Sequence, residues 1–194
     1  MGTAANVLIG VGKLYVAPAL TAIPTLPTTK AGTVTWTSWT DVGYTEGGVT
    51  FDYAPEVFEG KVDQELAPVI TELMGESLKI KTNLAEATVK NLARAISAST
   101  FTSTAATTST AAKNQVEFGS GTLAETMIGF EGTAPGGGRR VIVIYRARST
   151  GTAGLAYKKD ALNAISVEWG ALADATKDAG KRLCKIIDLI ADHS

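Results

Sequence analysis

The sequence is poor in the residues that most often carry chemistry. It has one His and one Cys among 194 residues, His193 and Cys184. A single Cys cannot form a disulfide within the chain, and the usual Cys/His ligand sets for zinc cannot be assembled. A Ser-His-Asp or Cys-His pair would depend on His193, beside the last residue, where catalytic geometry is hard to hold. We therefore expect no catalytic residue, no metal site and no cofactor.

Charge and long hydrophobic runs are scarce as well. Charged residues make up 19% of the chain, and 18 Lys and Arg nearly balance 19 Asp and Glu. This balance excludes a strongly basic nucleic-acid binder, and a hydrophobic content of 45% argues against disorder. No run of about 18 apolar residues predicts a membrane helix. The first 17 residues lack the basic start of a secretory signal, so we expect the protein to stay in the cell that makes it.

What is present predicts one mostly β domain over residues 1–194. The length suits a single domain, and 20 Gly and six Pro interrupt the chain often. Alternating and β-branched segments predict strands, and the apolar middle of the segment from 139 to 148 predicts burial on both faces. The predicted strands cover 6–17, 49–53, 78–84, 115–118, 125–131, 139–148, 163–170 and 181–189, with two more within 57–74. The segments 57–74 and 181–189 also fit the apolar stripe of a helix.

One helix is predicted over residues 85–97. Asn83 can cap its first turn, and Glu86 follows at the spacing of a capping box. Apolar residues then recur at steps of four, three and four, which gives a single face for packing on a sheet. That face consists of Ala85, Val89, Leu92 and Ile96.

Two segments read as loops. Residues 18–32 hold Pro18, Pro24 and Pro27, which favour an extended loop. Residues 97–112 are Ser, Thr or Ala apart from Phe101, so they have little to bury. This tract is either a mobile loop or a polar strand that becomes ordered against a partner chain.

The glycine motifs of nucleotide-binding proteins are incomplete here. Gly10 and Gly12 match the start of a dinucleotide loop, but Tyr15 stands where the third Gly is needed. The Gly-Lys pairs at 12–13, 60–61 and 180–181 lack the following Ser or Thr of a phosphate loop. The three glycines at 136–138 predict a hairpin turn.

Charged and aromatic clusters have structural explanations. Arg139, Arg140, Arg146 and Arg148 surround an apolar strand, and we expect solvated strand ends or pairs with carboxylates of a neighbouring chain rather than contacts with a nucleic-acid backbone. Seven carboxylates between residues 52 and 76 are expected on the polar faces of strands. Trp36, Trp39 and Trp169 are expected to anchor the core or an interface.

Several segments, taken in order, resemble the tail tube (major tail) protein of long-tailed phages. The opening VLIGVGKLYVAP at 7–18 and the Pro-rich loop after it are similar to that family's first strand and loop. WTDVGYTEGGVTF at 39–51 is similar to its Trp, Gly-Tyr and Gly-Val stretch. LKIKTNLAEATVKNL at 78–92 is similar to its strand-then-helix element. VEWGALAD at 167–174, with the Gly-Lys at 180–181, is similar to its late strand and loop.

The resemblance implies a β-sandwich or barrel-like fold with one flanking helix and a structural role in the virion. Such proteins form hexameric rings that stack head to tail into a hollow tube, which DNA crosses at ejection. The implied partners are further copies of the chain, a tape-measure protein, a tail terminator and baseplate or tip proteins, with no membrane and no sequence-specific DNA contact. The implied place of synthesis is the host cytoplasm. We expect subunit contacts from the loop 18–32, the segment 52–74 and the tract 97–112.

Two other functions remain open from the residues alone. A β-sandwich adhesin or other binding module of a virion or cell surface would expose Trp36, Trp39 and Tyr44 to a ligand. An enzyme would use an acidic site within residues 52–76 and would bind a divalent metal there.

Overall fold

The structure is a computed structural model that describes residues 10–28, 32–119, 121–155, 157, 159–160 and 162–189. Its elements in chain order are β1 Gly12–Pro18, β2 Thr40–Asp41, β3 Thr45–Gly60, β4 Ile70–Leu84, α1 Val89–Ala95, β5 Ser99–Thr104, β6 Lys113–Phe118, β7 Thr126–Thr133, β8 Arg139–Ser149, β9 Ile165–Ala171 and β10 Cys184–Leu189. None of the helices among these residues is long and apolar enough to cross a membrane. The predicted strand residues 6–9, and His193, lie outside the described residues.

Eight strands form one antiparallel sheet in the order β2-β1-β7-β8-β9-β4-β3, and β10 also pairs with β8. Strand β8 carries two partners along the same edge. β10 pairs with its first half, from Arg139 to Ile144, and β9 pairs with its end, from Ala147 to Ser149. The predicted mostly β architecture is therefore confirmed.

The sheet folds back on itself into a sandwich-like shape. Phe51 of β3 and Phe130 of β7 lie three intervening strands apart in the sheet order, yet their rings meet edge to face with centroids 5.6 Å apart. Between the two ends lies the larger buried cluster. It contains residues from β1, β4, β7, β8 and β9, among them Leu14, Ile80 and Trp169. Burial of these side chains is the main favourable term that closes the sheet.

Strand β8 is buried on both faces, as its apolar run predicts. Ile144 belongs to the larger cluster, whereas Val141 and Val143 belong to a second cluster on the opposite face. That second face is covered by Val34 and Trp39 of the long connection between β1 and β2. The Pro-rich connection thus closes the side of the sheet that the sandwich leaves open.

The helix is shorter than predicted and begins at a different cap. It spans Val89–Ala95, and Thr88 caps it by accepting a hydrogen bond from the Asn91 N–H at 3.2 Å. Asn83 was expected to be the cap, but it pairs with Glu46 in the β3–β4 ladder and so remains in a strand. Glu86 instead accepts a hydrogen bond from the Tyr44 N–H at 3.2 Å. Long-range strand pairing here outweighs a local capping pattern.

Part of the Ser/Thr/Ala tract forms a strand that pairs within its own chain. Its strand β5 pairs with β6 over six residue pairs, from Ser99↔Phe118 to Thr104↔Lys113. The two strands form a separate sheet with no ladder to the large one. Phe101, the one large apolar residue of the tract, faces Val116 across this hairpin.

The arginines around β8 pair with carboxylates of their own chain. Arg139 contacts Glu131 at 3.0 Å, and Arg140 forms two hydrogen bonds of 2.7 Å with Asp188. A third pairing joins Arg146 and Arg148 to Glu125. The sequence could not show these pairs because each carboxylate lies on a different element from its arginine.

Glu125 is expected to make stability depend on acid pH. Arg146 donates to its two oxygens at 2.8 and 2.9 Å, and this pairing, with Arg148, lowers the pKa of Glu125 from 4.5 to about 2. Because the folded-state pKa is depressed, the carboxylate stabilises the fold above about pH 4.5 and loses that effect as the pH falls towards 2. The thermal midpoint of Glu125→Gln should therefore lie below that of the wild type at pH 7. The difference between the two midpoints should disappear as the pH falls from about 4.5 to 2.

The matched control for this prediction is Glu65→Gln, since Glu65 is exposed and makes no ion pair among the described residues. This variant should unfold within about one degree of wild type at each pH, as surface substitutions usually do. A gap for Glu125→Gln that stays constant from pH 7 to pH 2 would contradict the proposed role of the ion pair.

Candidate assembly surface

The most conspicuous surface is a two-stranded arm, residues 54–77, which extends beyond the sheet. Strand β4 pairs with β9 only through Lys79–Leu84, so the distal parts of β3 and β4 pair with each other alone. Every residue of the arm is exposed except Gly60 and Gly75, which are half-buried. The seven residues from Ala54 to Gly60 extend the ladder by about 20 Å. The arm therefore reaches well away from the core.

One face of the arm continues the apolar face of the core. Residues that pair across an antiparallel ladder share a face, and the face changes at each step along a strand. Phe51↔Ile80 and Tyr53↔Leu78 pair over the core, and Val57↔Leu73 follows farther out. Ile80 and Leu78 are buried, whereas Tyr53 is 55% and Leu73 60% exposed. The apolar stripe thus continues along the arm beyond the point where other parts of the chain cover it.

The arm carries a large share of the exposed apolar side chains of the described residues. Extended exposed apolar patches mark interaction sites in soluble proteins. Those between residues 53 and 74 are Tyr53, Val57, Phe58, Val62, Leu66, Val69, Ile70, Leu73 and Met74. The extended conformation predicted within 57–74 is found at 57–60 and 70–74, but these residues are the ends of β3 and β4 and not two further strands. An interface on this segment is consistent with its exposure.

The acidic residues of this segment lie along the ladder rather than around a common point. Asp52 pairs with Lys81 at 3.0 Å, Glu59 lies 3.9 Å from Lys61, and Glu76 accepts a hydrogen bond from Tyr53. Within the described part of the chain, no group of three or more His, Cys, Asp or Glu could hold a metal ion. The arrangement offers no support for an acidic enzyme site in residues 52–76.

The Pro-rich loop packs on its own chain along most of its described length. The Trp39 indole donates to the Ala22 carbonyl at 2.9 Å, and Thr25 forms a two-way backbone bridge with Thr35. Leu20 and Ile23 remain 81% and 46% exposed. Of the predicted loop 18–32, residues 29–31 lie outside the described residues. The exposed side chains available for a partner are therefore concentrated in its first half.

The tryptophans are structural anchors, so the ligand-contact hypothesis for them is wrong. Trp39 is buried, and Trp169 is 1% exposed in the larger core cluster. Trp36 stacks on Tyr15 with ring centroids 4.3 Å apart and donates from its indole nitrogen to Glu131 at 2.7 Å. Tyr44 alone of the three proposed ligand contacts is largely exposed, at 80%.

A basic segment, residues 177–185, was not singled out by the sequence pattern. It holds Lys177, Lys181, Arg182 and Lys185 against one carboxylate, Asp178. Lys177 lies over the Tyr145 ring, 5.0 Å from its centroid, and the Arg182 side chain donates to the Lys177 carbonyl at 3.2 Å. The sequence contains a signal for this segment, namely four cations in nine residues. Its Gly-Lys pair at 180–181 was considered as part of a phosphate loop and not as part of a basic segment.

The β5–β6 hairpin can be tested separately from the large sheet. The chain enters and leaves it at adjacent points, since the Ala124 N–H donates to the Ser97 carbonyl at 2.8 Å and Gly121 lies against Ala98. Joining Ala98 directly to Gly121 should therefore leave a folded monomer, with a thermal midpoint within a few degrees of wild type, but block tube formation. Thermal unfolding and electron microscopy of the same preparation check both parts.

Two results would contradict this prediction. Normal tubes from the shortened chain would show that the hairpin makes no necessary contact. Global unfolding would show that the hairpin supports α1, against which it packs. Circular dichroism of the monomer separates this second case from a loss of assembly alone.

Comparison with family models matches residues 1–186 to the family described as phage tail tube protein. The chain belongs to this family. The resemblance seen in the sequence is thereby confirmed, and the match includes the arm, the β5–β6 hairpin and the basic segment. Comparison with curated proteins finds no match.

A tail tube protein is a structural subunit of the virion tail, and this membership agrees with the surfaces described above. The fold is mostly antiparallel β with one short α-helix among the described residues, and a large share of its exposed apolar side chains lies on the arm and at its root. Such a distribution suits a protein whose partners are other proteins of an assembly.

Proposed function

We propose that this tail tube protein forms hexameric rings that stack head to tail into a hollow tube, through which the genome passes during ejection. The whole chain, residues 1–194, acts as one non-enzymatic tail-tube domain. The observation that carries the proposal is the arm, whose apolar face continues from the core and is left uncovered in the single chain.

Assembly explains why an exposed apolar arm is retained. A long arm with apolar side chains is an aggregation liability in a monomer unless a defined partner covers it. A contact between two different surfaces of identical subunits repeats without limit unless it closes into a ring. Rings that close laterally and repeat axially therefore need at least two such contacts. The arm, the Pro-rich loop 18–32 and the β5–β6 hairpin from the tract 97–112 supply separate candidates.

The charge of the chain suits a conduit for DNA. The net charge is −1, so the subunit offers no overall basic excess to hold a phosphate backbone. A lumen that releases DNA quickly needs weak, nonspecific contact with it. The further partners in this proposal are a tape-measure protein inside the growing tube, a terminator at one end and baseplate or tip proteins at the other. Synthesis takes place in the host cytoplasm.

The test is assembly of the purified protein. The protein is concentrated, left to stand and sedimented, and the pellet and supernatant are viewed by negative-stain electron microscopy. Stacked rings or tubes of uniform width are expected, with a soluble fraction that stays constant above a critical concentration. Small dispersed particles at all concentrations, both alone and with the tape-measure protein added, would contradict the proposal.

A further inference from the structure

The arm is strongly acidic as well as apolar. Residues 54–77 hold six carboxylates and one lysine, Lys61. Lys61 lies 3.9 Å from Glu59, at the edge of ion-pair distance. Five carboxylates of the arm make no ion pair among the described residues, and all are exposed: Glu56, Asp63, Glu65, Glu72 and Glu76. The arm therefore presents uncompensated negative charge to its surroundings.

On the face of the arm opposite to its apolar stripe, acidic side chains lie next to one exposed aromatic ring. Phe58 pairs with Glu72 across the ladder, so both lie on the face opposite to Val57 and Leu73. Glu56, two residues from Phe58, lies on that face too. Phe58 is 54% exposed. A partner of this face needs positive charge next to an apolar side chain.

The basic segment has the complementary character. Lys181 pairs with Asp178 at 3.2 Å, while Lys177, Arg182 and Lys185 make no ion pair among the described residues. The segment borders a recess of about 330 Å³ whose lining includes Tyr145 and Cys184. The segment thus combines net positive charge with a recess that has an aromatic ring in its wall.

The two surfaces do not neutralise each other within one chain. No carboxylate of the arm forms an ion pair with residues 177–185 in the described structure. Burial and, to a smaller extent, the charge of Glu76 raise the pKa of Cys184, so the root of the arm lies near the segment. The arm extends by about 20 Å from that root. Its outer carboxylates are therefore available to a different molecule.

We propose that the arm of one copy docks on residues 177–185 of a second copy, with Glu56 and Glu72 facing Arg182 and Lys185 and with Phe58 facing the recess beside them. This inference rests on the proposed function, because it names the surfaces that join tube subunits. The contact joins two different surfaces, so every copy offers one of each and the contact repeats along an assembly. Complementary charge fixes the register of such a contact and speeds encounter.

Charge exchange between the two surfaces provides the test. One variant carries Glu56→Lys and Glu72→Lys, and the other carries Arg182→Glu and Lys185→Glu. Each variant alone places charges of like sign at the exchanged positions of the contact, so its critical concentration for tube formation should rise at least about tenfold. In an equal mixture the exchanged positions of each arm meet opposite charges at the exchanged positions of the other variant's segment. The mixture should therefore form tubes at close to the wild-type concentration.

The control variant carries Lys90→Glu and Lys159→Glu, which change two exposed positive charges elsewhere. It should assemble like the wild type, and circular dichroism should show that all variants are folded. Tubes from either charge-reversed variant alone at the wild-type concentration would overturn the docking. So would two folded variants that fail to assemble when mixed. In either case wild-type tubes would leave the proposed function intact, whereas wild-type protein that never assembles contradicts that function itself.

Discussion

Shortening the arm is expected to abolish tube formation while leaving a folded monomer. The change joins Ala54 to Ser77, which are register partners, through an Asn-Gly turn and removes residues 55–76. Asn-Gly favours the tight turn that matches the twist of a two-stranded ladder. Apart from the hydrogen bond from Tyr53 to Glu76, the removed residues pair only with each other, and none of them is buried. The loss of contacts within the monomer is therefore small.

Sedimentation and electron microscopy measure the assembly, and thermal unfolding measures the fold. The thermal midpoint should stay within a few degrees of wild type, while the pelleted fraction falls to background. The matched control replaces Tyr44, which is exposed but lies outside the arm, with Ala and should assemble normally. Tubes of normal width from the shortened chain would show that the arm is not a necessary contact. The apolar stripe would then need another explanation.

Trp169→Ala is expected to lower the free energy of unfolding by about 3–5 kcal/mol, as large aromatic truncations in cores do. Trp169 is 1% exposed, belongs to the larger core cluster and pairs with Ile80 between β9 and β4. Its indole nitrogen has no hydrogen-bond partner among the described residues, so the substitution removes packing and no hydrogen bond. This loss would be a large part of the free energy of unfolding of a typical domain, which is about 5–15 kcal/mol.

Urea unfolding of the shortened-arm variant measures this effect without interference from assembly. Tyr44→Ala in the same background is the control, because Tyr44 is 80% exposed and its loss should cost less than about 0.5 kcal/mol. A loss below about 1 kcal/mol for Trp169→Ala would mean that the β4–β9 layer repacks freely. The described core would then not be what holds the sheet closed.

The strands that alternate cleanly could be predicted from the sequence. Leu78 to Leu84 places Leu and Ile on one face and Lys on the other, and the structure buries the apolar set. The apolar run of β8 correctly predicted burial on both faces, because side chains of either parity are apolar there. In both cases the local pattern and the tertiary environment agree, which is the condition under which sequence patterns succeed.

The features that failed depend on distant partners. Asn83 and Glu86 satisfied a local capping rule, but pairing of Asn83 with Glu46 kept β4 extended through that position. The Ser/Thr/Ala tract gave no sign that Lys113–Phe118 would pair with it. The arm was predictable as two strands, but its projection follows from β9, which covers β4 only from Lys79 onward. The length of the neighbouring strand β9 cannot be inferred from the local sequence of β3 and β4.

End-on views of the assembled protein test the central claim most directly. Tubes formed by the purified chain, with the tape-measure protein as initiator where needed, are imaged by cryo-electron microscopy, and their cross-sections are averaged without imposed symmetry. We expect a ring of six equal subunits around an empty lumen wide enough for a DNA duplex. A solid cross-section, or a lumen too narrow for duplex DNA, would contradict the claim that this chain builds a conduit for the genome.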